Sequence, residues 1–173
     1  MTEATLSPRA REIVTVAREL LEAEGARALT MRALAERLGI RAPSLYKHLP
    51  GKAHLEAAII AIGFEEAAAA FEAATAGAED PLTGLASAYR GFALAHPHLY
   101  RLMTDQPLPR HLLPAGVEAS ASAPLERAAG SPERARVVFA FAHGMVLLEL
   151  TGRFPPGADV AASWREGIGA LRP

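Results

Sequence analysis

No cysteine occurs among the 173 residues, which excludes a disulfide-stapled secreted domain, a thiolate zinc site, an iron–sulfur cluster and cysteine nucleophile chemistry. A net charge to attract a polyanion is also missing from the chain as a whole, because 18 Lys and Arg face 19 Asp and Glu. Any such attraction has to be local. The longest strongly apolar stretch, Val137 to Leu148, is interrupted by His143 and Gly144 and falls short of the about 20 residues a spanning helix needs. The opening MTEATLSPRAREIV sets acidic and polar side chains where an export signal needs a basic start and an apolar segment. These absences predict a soluble cytoplasmic protein with no membrane partner. There is no internal repeat, no phosphate-cradling glycine loop, no nucleophile elbow and no histidine with an adjacent orienting carboxylate, so an enzyme reading has no residues to assign. His96 and His98 flank Pro97, which makes their side chains diverge, and no carboxylate stands at ligand-like spacing. Neither a metal nor a cofactor is expected.

Half of the residues are hydrophobic, enough for one domain of ordinary size or two small ones sharing a core. Alanine and leucine dominate and alternating β-branched runs are absent, so the fold class expected is all-α. Ala10, Ile13, Val14, Ala17, Leu20 and Leu21 recur at helical spacing. Ser7 is a cap, Pro8 suits the first helical position and Gly25 a left-handed stop. This predicts a helix over about 8–24. Thr30 caps a second, short helix whose stripe Met31, Leu34, Ala35, Leu38 ends at Gly39, and a third runs from Arg41 to Leu49 before Pro50-Gly51. Further helices are expected from Lys52 to about Ala76, Pro81 to about Ala95, a turn or so through Met103, 115–129, about 131–152 and 158–171. The proline-rich stretch Gln106 to Pro114 reads as a loop.

Charge is uneven along the chain. Residues 27–54 carry Arg27, Arg32, Arg37, Arg41, Lys47 and Lys52 against Glu36 alone, a net +5, while residues 55–173 carry nine basic and thirteen acidic side chains, a net −4. A basic compact unit on an acidic helical body is the electrostatic layout of a DNA-binding head on a regulatory core. Two short helices joined at Leu38-Gly39-Ile40, the second with a basic and aromatic face, fit a helix-turn-helix whose second helix enters the major groove.

The succession Leu29-Thr30-Met31-Arg32-Ala33-Leu34-Ala35, Leu38-Gly39-Ile40, Pro43-Ser44-Leu45-Tyr46-Lys47-His48 and the following Lys52 closely resembles the TetR/AcrR family of transcriptional regulators, over about residues 8–60. The resemblance implies an N-terminal three-helix DNA-binding head (1–51) and a C-terminal helical ligand-binding and dimerisation bundle (52–173). It also implies a ligand-responsive regulator, most often a repressor, that binds a palindromic double-stranded operator as a homodimer. Thr30, Tyr46 and Lys52 match backbone contacts, which position the protein without reading sequence. Arg32, Arg41, Ala42, Ser44 and Lys47 are candidates for base readout, with Pro43 and His48 on the same surface. Arg27, Arg32 and Arg37 taken singly also fit a solvated basic face. Leu34, Leu38, Ile40, Leu45 and Leu49 are the apolar pegs of the unit. Many family members carry Ser or Thr where this chain has Arg41, so the third helix lacks its hydroxyl cap.

The segments His96 to Met103 and Phe139 to Met145 resemble the C-terminal domain of a WHG-type subgroup, with the naming tryptophan replaced by Phe139 or Phe141. Candidate pocket residues for a small apolar or aromatic effector are Phe64, Phe71, Tyr89, Phe92, Tyr100, Met103, Phe139, His143 and Met145. Ordinary core packing is the alternative role for these side chains. A DNA-binding protein that senses nothing and acts through protein contacts alone is a further alternative. The last two long helices are the expected dimer contact, because Ala140, Ala142 and Gly144 allow close approach of an otherwise apolar helix.

Overall fold

The computed structural model describes residues 6–172; residues 1–5, at the start of the expected head and of the segment read for an export signal, and Pro173, at the end of the expected bundle, lie outside them. The described residues form nine α-helices and one 3-10 turn, with no strand. They are α1 (Pro8–Glu24), α2 (Met31–Arg37), α3 (Ala42–Leu45), α4 (Lys52–Thr75), α5 (Pro81–Ala95), α6 (Pro97–Thr104), α7 (Val117–Ala129), α8 (Pro132–Leu150) and α9 (Val160–Ala170). The turn, Arg110–Leu112, lies inside the proline-rich loop. No helix among the described residues is long and apolar enough to cross a membrane.

Local chemistry sets the boundaries. The Ser7 hydroxyl accepts from the Ala10 N–H at 3.2 Å with Pro8 at the first helical position, and α1 stops where Gly25, at φ +80°, donates to the Leu21 carbonyl at 2.8 Å. That left-handed φ is strained for a residue with a Cβ. Thr30 Oγ1 accepts from Ala33 N–H at 3.1 Å, Asp80 Oδ1 from Thr83 N–H at 3.1 Å, Ser131 Oγ from Arg134 N–H at 3.2 Å and Asp159 Oδ1 from Ala162 N–H at 2.8 Å. Each satisfies a donor that a helix start would otherwise orphan.

The expected third helix is shortened. Only Ala42–Leu45 is α-helical, and the chain continues in turns to His48. Arg41 supplies no acceptor to cap it, and Pro43 has no N–H to donate. The segment is therefore closed by tight bonds from Ser44 N–H to the Arg41 carbonyl, 2.9 Å, and from His48 N–H to the Leu45 carbonyl, 2.9 Å.

Two compact units make up the chain, and they do not follow chain order. One holds the described residues up to Phe64 together with His96–Val117; the other holds Glu65–Ala95 and the described residues from Glu118 onward. In the first unit α1 packs on both α2 and α6. Its core is Ile13, Leu21, Leu29, Leu34, Leu45, Leu55, Ile59 and Leu99, all fully buried. Of the expected pegs, Leu34, Leu45 and Leu49 are buried, whereas Leu38, at the end of α2, and Ile40 are half-buried. Gly63 lets α6 lie close on α4, since a Cβ there would sit 2.8 Å from Met103 Sδ and 3.1 Å from the Leu99 methyls. Glu22 links the same helix to α1, lying 3.4 Å from Arg18 Nε and 3.5 Å from His96 Nδ1. In the second unit α5 packs on α8 and α9, which also touch each other, around Leu85, Val138 and Val146.

Candidate nucleic-acid interface

All ten candidate DNA contacts fall in the first unit, between the start of α2 and the start of α4. Thr30 is exposed, with its hydroxyl already serving as the cap of α2. Arg32 projects from α2, its side chain 88% exposed, and meets Glu36 one turn on at 3.0 Å. Arg41, at the uncapped start of α3, and Pro43, Lys47 and His48 are exposed, while Ala42 and Ser44 are half-buried. Tyr46 closes α3 and is 52% exposed, a large exposure for an aromatic residue. Lys52 opens α4 and lies 3.5 Å from Glu56.

The cations of this surface fall into two groups. Arg32, Arg37 and Lys52 each have a carboxylate near, Glu36, Glu24 and Glu56 respectively. Arg27, Arg41 and Lys47 pair with no carboxylate among the described residues. The buried leucines beneath fix α2 and α3, so a short turn at Leu38-Gly39-Ile40, with Gly39 at φ +65°, presents hydroxyls, a phenol and cations together. Such a set can donate to phosphate oxygens and to guanine edges.

The nine candidate pocket residues divide between the units. Phe64, Tyr100 and Met103 belong to the first, where Met103 fills the space that Gly63 leaves. Phe71, Tyr89, Phe92, Phe139, His143 and Met145 belong to the second. Four of these form a row. Phe71 stacks on Tyr89 at 5.9 Å between ring centroids, Tyr89 meets Phe139 edge-on at 6.1 Å, and Phe139 lies parallel to His143 at 5.7 Å. The row runs from buried Phe71 and Tyr89 to Phe139, which is 43% exposed. Tyr100 and Met145 are buried, and Phe64, Phe92, Met103 and His143 half-buried. No group of three or more potential metal ligands occurs among the described residues.

A second polar cluster escapes sequence reasoning. Glu149 on α8 accepts from Arg90 Nε at 2.9 and 3.1 Å, from Arg90 Nη2 at 2.6 Å, and from the Trp164 indole N–H at 2.7 Å. The carboxylate side chain is 11% exposed. Its hydrogen bonds hold the Arg90 proton more tightly and raise that guanidinium above the usual arginine pKa. The signal available in the sequence was a single carboxylate on a helix that is otherwise apolar from Val137 to Leu150 except at His143 and Gly144, together with the chain's one tryptophan.

Residues 13–59 match the family described as bacterial regulatory proteins, tetR family, and residues 82–171 match the tetracyclin repressor-like C-terminal domain. The second match contains both segments singled out above, His96 to Met103 and Phe139 to Met145. The chain is 32% identical over 151 residues, 81% of its length and 69% of the relative's, to Rv0681 of Mycobacterium tuberculosis, an uncharacterized HTH-type transcriptional regulator. It is similar to the crystal structure of SCO4313, a candidate regulatory protein, with 28% identity, a TM-score of 0.77 and 94% of each chain covered. The fold is also shared with the TetR family protein ActR of Streptomyces coelicolor, solved in complex with (S)-DNPA. There the identity is 22%, the TM-score 0.65, and 99% of this chain and 96% of that one are covered.

Proposed function

From the membership of this chain in the TetR family of bacterial transcriptional regulators, we propose that it is a ligand-responsive repressor. It acts in the cytoplasm as a homodimer on a palindromic operator and is released by a small apolar or aromatic molecule. Residues 1–51 act as the DNA-binding head, and residues 52–173 as the effector-binding and dimerisation body. The observation that carries the reading is the cluster of exposed Thr30, Arg32, Arg41, Tyr46, Lys47 and Lys52 on a capped, leucine-pinned frame.

Thr30, Tyr46 and Lys52 hold phosphates. Arg41 and Lys47, which pair with no carboxylate among the described residues, read bases first, with Arg32, Ala42, Pro43, Ser44 and His48 completing the contact surface. Self-association uses the outer faces of α8 and α9. Val137 is 53% and Leu148 41% exposed, Ala140 lies between them in sequence, and a Cβ at Gly144 or Gly169 would meet nothing within 4 Å. Small residues at helical spacing permit close approach of a second copy. The dimer sets two heads roughly 34–36 Å apart, the spacing of successive major grooves. The row Phe71, Tyr89, Phe139, His143 offers an aromatic surface to the effector.

Selection from random duplexes tests the DNA reading. An enriched palindrome is expected, with affinity falling by about 0.9 log units per log unit of salt for each phosphate neutralised. Tyr46→Phe and Lys52→Ala weaken all sequences alike, whereas Arg41→Ala or Lys47→Ala costs about 1–3 kcal/mol at particular base pairs. Recovery of no palindrome sinks the proposal. For the effector, compounds that raise the melting temperature are titrated into the protein–operator complex. A bound compound that leaves operator affinity unchanged removes ligand responsiveness, since the coupling is reciprocal.

A further inference from the structure

We propose that Glu149 is the residue that sets the register of α9 against α8, and thereby the register in which two copies of this chain pair. The inference rests on the dimer reading above. Between α8 and α9 most contacts are apolar and carry no direction: Trp164 and Ile168 face inward from α9, and the Phe141 ring lies edge-on to Trp164 at 5.7 Å. Buried apolar area alone discriminates weakly between registers one turn apart. A hydrogen bond from an indole N–H is more selective. It forms only when Trp164 stands opposite Glu149, and the same carboxylate is already gripped by Arg90 from α5 at 2.6 to 3.1 Å.

Three helices thus meet at one half-buried carboxylate. A shifted α9 forfeits the indole bond and leaves carboxylate acceptor capacity unfilled in a place where water reaches little of it, a cost that apolar contacts alone do not impose. Gly167 adds a steric stop to the same register, because a Cβ there would lie 2.1 Å from the Phe141 ring. The outward consequence lies one residue away on each helix. Leu148 precedes Glu149 and is exposed, as is Arg165, which follows Trp164. The stripe Val137, Ala140, Gly144, Leu148 on α8 and the outer residues Ala161, Arg165 and Gly169 on α9 are held in phase by the contact beneath them. Fixing register is the best-attested use of a buried polar group in helix pairing, whereas its contribution to bare stability is small or negative against a well-packed apolar replacement.

The absence of cysteine from the chain allows a direct test on the full-length protein. Val137→Cys, Ala140→Cys, Gly144→Cys and Leu148→Cys are made singly, and the rate of disulfide formation between copies is measured for each. Only pairs whose Cα atoms come within about 7 Å bridge readily. In the native background one position is expected to crosslink about tenfold faster than the rest, since a single register satisfies that distance. Replacing the pair by apolar residues of similar size, Arg90→Met with Glu149→Leu, is expected to keep the helical circular dichroism while reducing that preference to about threefold. Dimer dissociation measured by sedimentation then weakens about tenfold. Trp164→Phe, which keeps an aromatic side chain but loses the N–H together with part of the indole, moves both readouts in the same direction by less. An unchanged crosslinking pattern and dissociation constant in both variants overturns the register role and leaves Glu149 a joint within one copy. A wild-type chain that sediments only as a monomer and crosslinks at no position overturns the dimer reading, and this inference with it.

Discussion

The two units handle charge in opposite ways. On the candidate DNA surface, Arg32 and Lys52 meet Glu36 and Glu56 one turn along the same helix, with both cations well exposed. In the second unit Arg90 reaches a carboxylate 59 residues away on another helix, and that carboxylate is 11% exposed. A solvated pair within one helix is worth about 0.3–0.5 kcal/mol, so a phosphate can displace the carboxylate at little cost. A half-buried pair between helices cannot be exchanged for solvent so cheaply, and it specifies which helices meet. The candidate surface holds its cations ready for a partner; the Arg90 site has consumed its cation in the architecture of the fold.

The most severe way to break this contrast is Glu149→Leu alone, which strands the Arg90 guanidinium without its partner. About 3 kcal/mol of stability is expected to go, the lower part of the usual range because Arg90 keeps some access to water. Glu36→Gln should stay within about 0.5 kcal/mol. Urea unfolding measures both, and equal losses would erase the distinction. Glycines sharpen it next. Gly167→Ala drives a Cβ into the Phe141 ring and should cost about 1–3 kcal/mol by overpacking. Gly39 has open space but a φ of +65°, so Gly39→Ala costs about 1–2 kcal/mol while Gly39→Asn is better tolerated. The same unfolding series separates the two, because Gly167→Asn gains nothing over Gly167→Ala.

Helix caps give a smaller effect with a pH signature. Thr30→Ala removes the hydroxyl that holds α2 and should cost about 1 kcal/mol, restored by Thr30→Ser, at any pH. Asp80 caps α5 in the other unit with a group that titrates. The Thr83 hydroxyl at 2.7 Å and the Thr83 N–H at 3.1 Å, with Arg172 beside it, hold the Asp80 carboxyl below its ordinary pKa. Its stabilisation is therefore complete above the ordinary aspartate value near 3.9 and is lost as pH falls through the lowered folded-state value. Asp80→Asn should flatten that acid limb, as read from melting temperatures between about pH 5 and pH 2. The least effect expected is on binding: Glu36→Gln frees Arg32 and should tighten operator affinity by no more than about twofold to threefold at low salt, vanishing as salt is raised.

Local order was written in the sequence and long-range pairing was not. The start of α1 follows from Ser7-Pro8, its end from Gly25, and α5 from Pro81 and the break before it. Each of those signals lies within four residues of the boundary it sets. The short α3 was the exception, because an uncapped start and Pro43 together weaken a segment whose residue pattern alone looks helical. The candidate DNA surface was legible as a motif, yet its division into cations with and without a near carboxylate among the described residues needed coordinates, since Arg37 meets Glu24 across two helices. In the body, aromatic residues were visible as candidates. Their grouping into Phe71, Tyr89, Phe139 and His143, with Phe64, Tyr100 and Met103 assigned to the other unit, depends on how α4 and α6 are shared out. Glu149 and Trp164 stood out singly, but their meeting with Arg90 was illegible because no periodicity links three positions on three helices.

Placing the chain's one tryptophan at that junction has an optical consequence. Trp164 is 6% exposed, edge-on to Phe141, and bonded through its indole N–H to a carboxylate. Red-edge excitation selects indole over the three tyrosines, so the emission of the unlabelled protein originates from α9 alone. Melting of the helix-turn-helix is dark at that wavelength, whereas loosening of α9 from α8 exposes the ring to water and shifts its emission to the red. The molecule thus carries a built-in gauge for one unit and none for the other, and comparing fluorescence with circular dichroism during unfolding times the two separately.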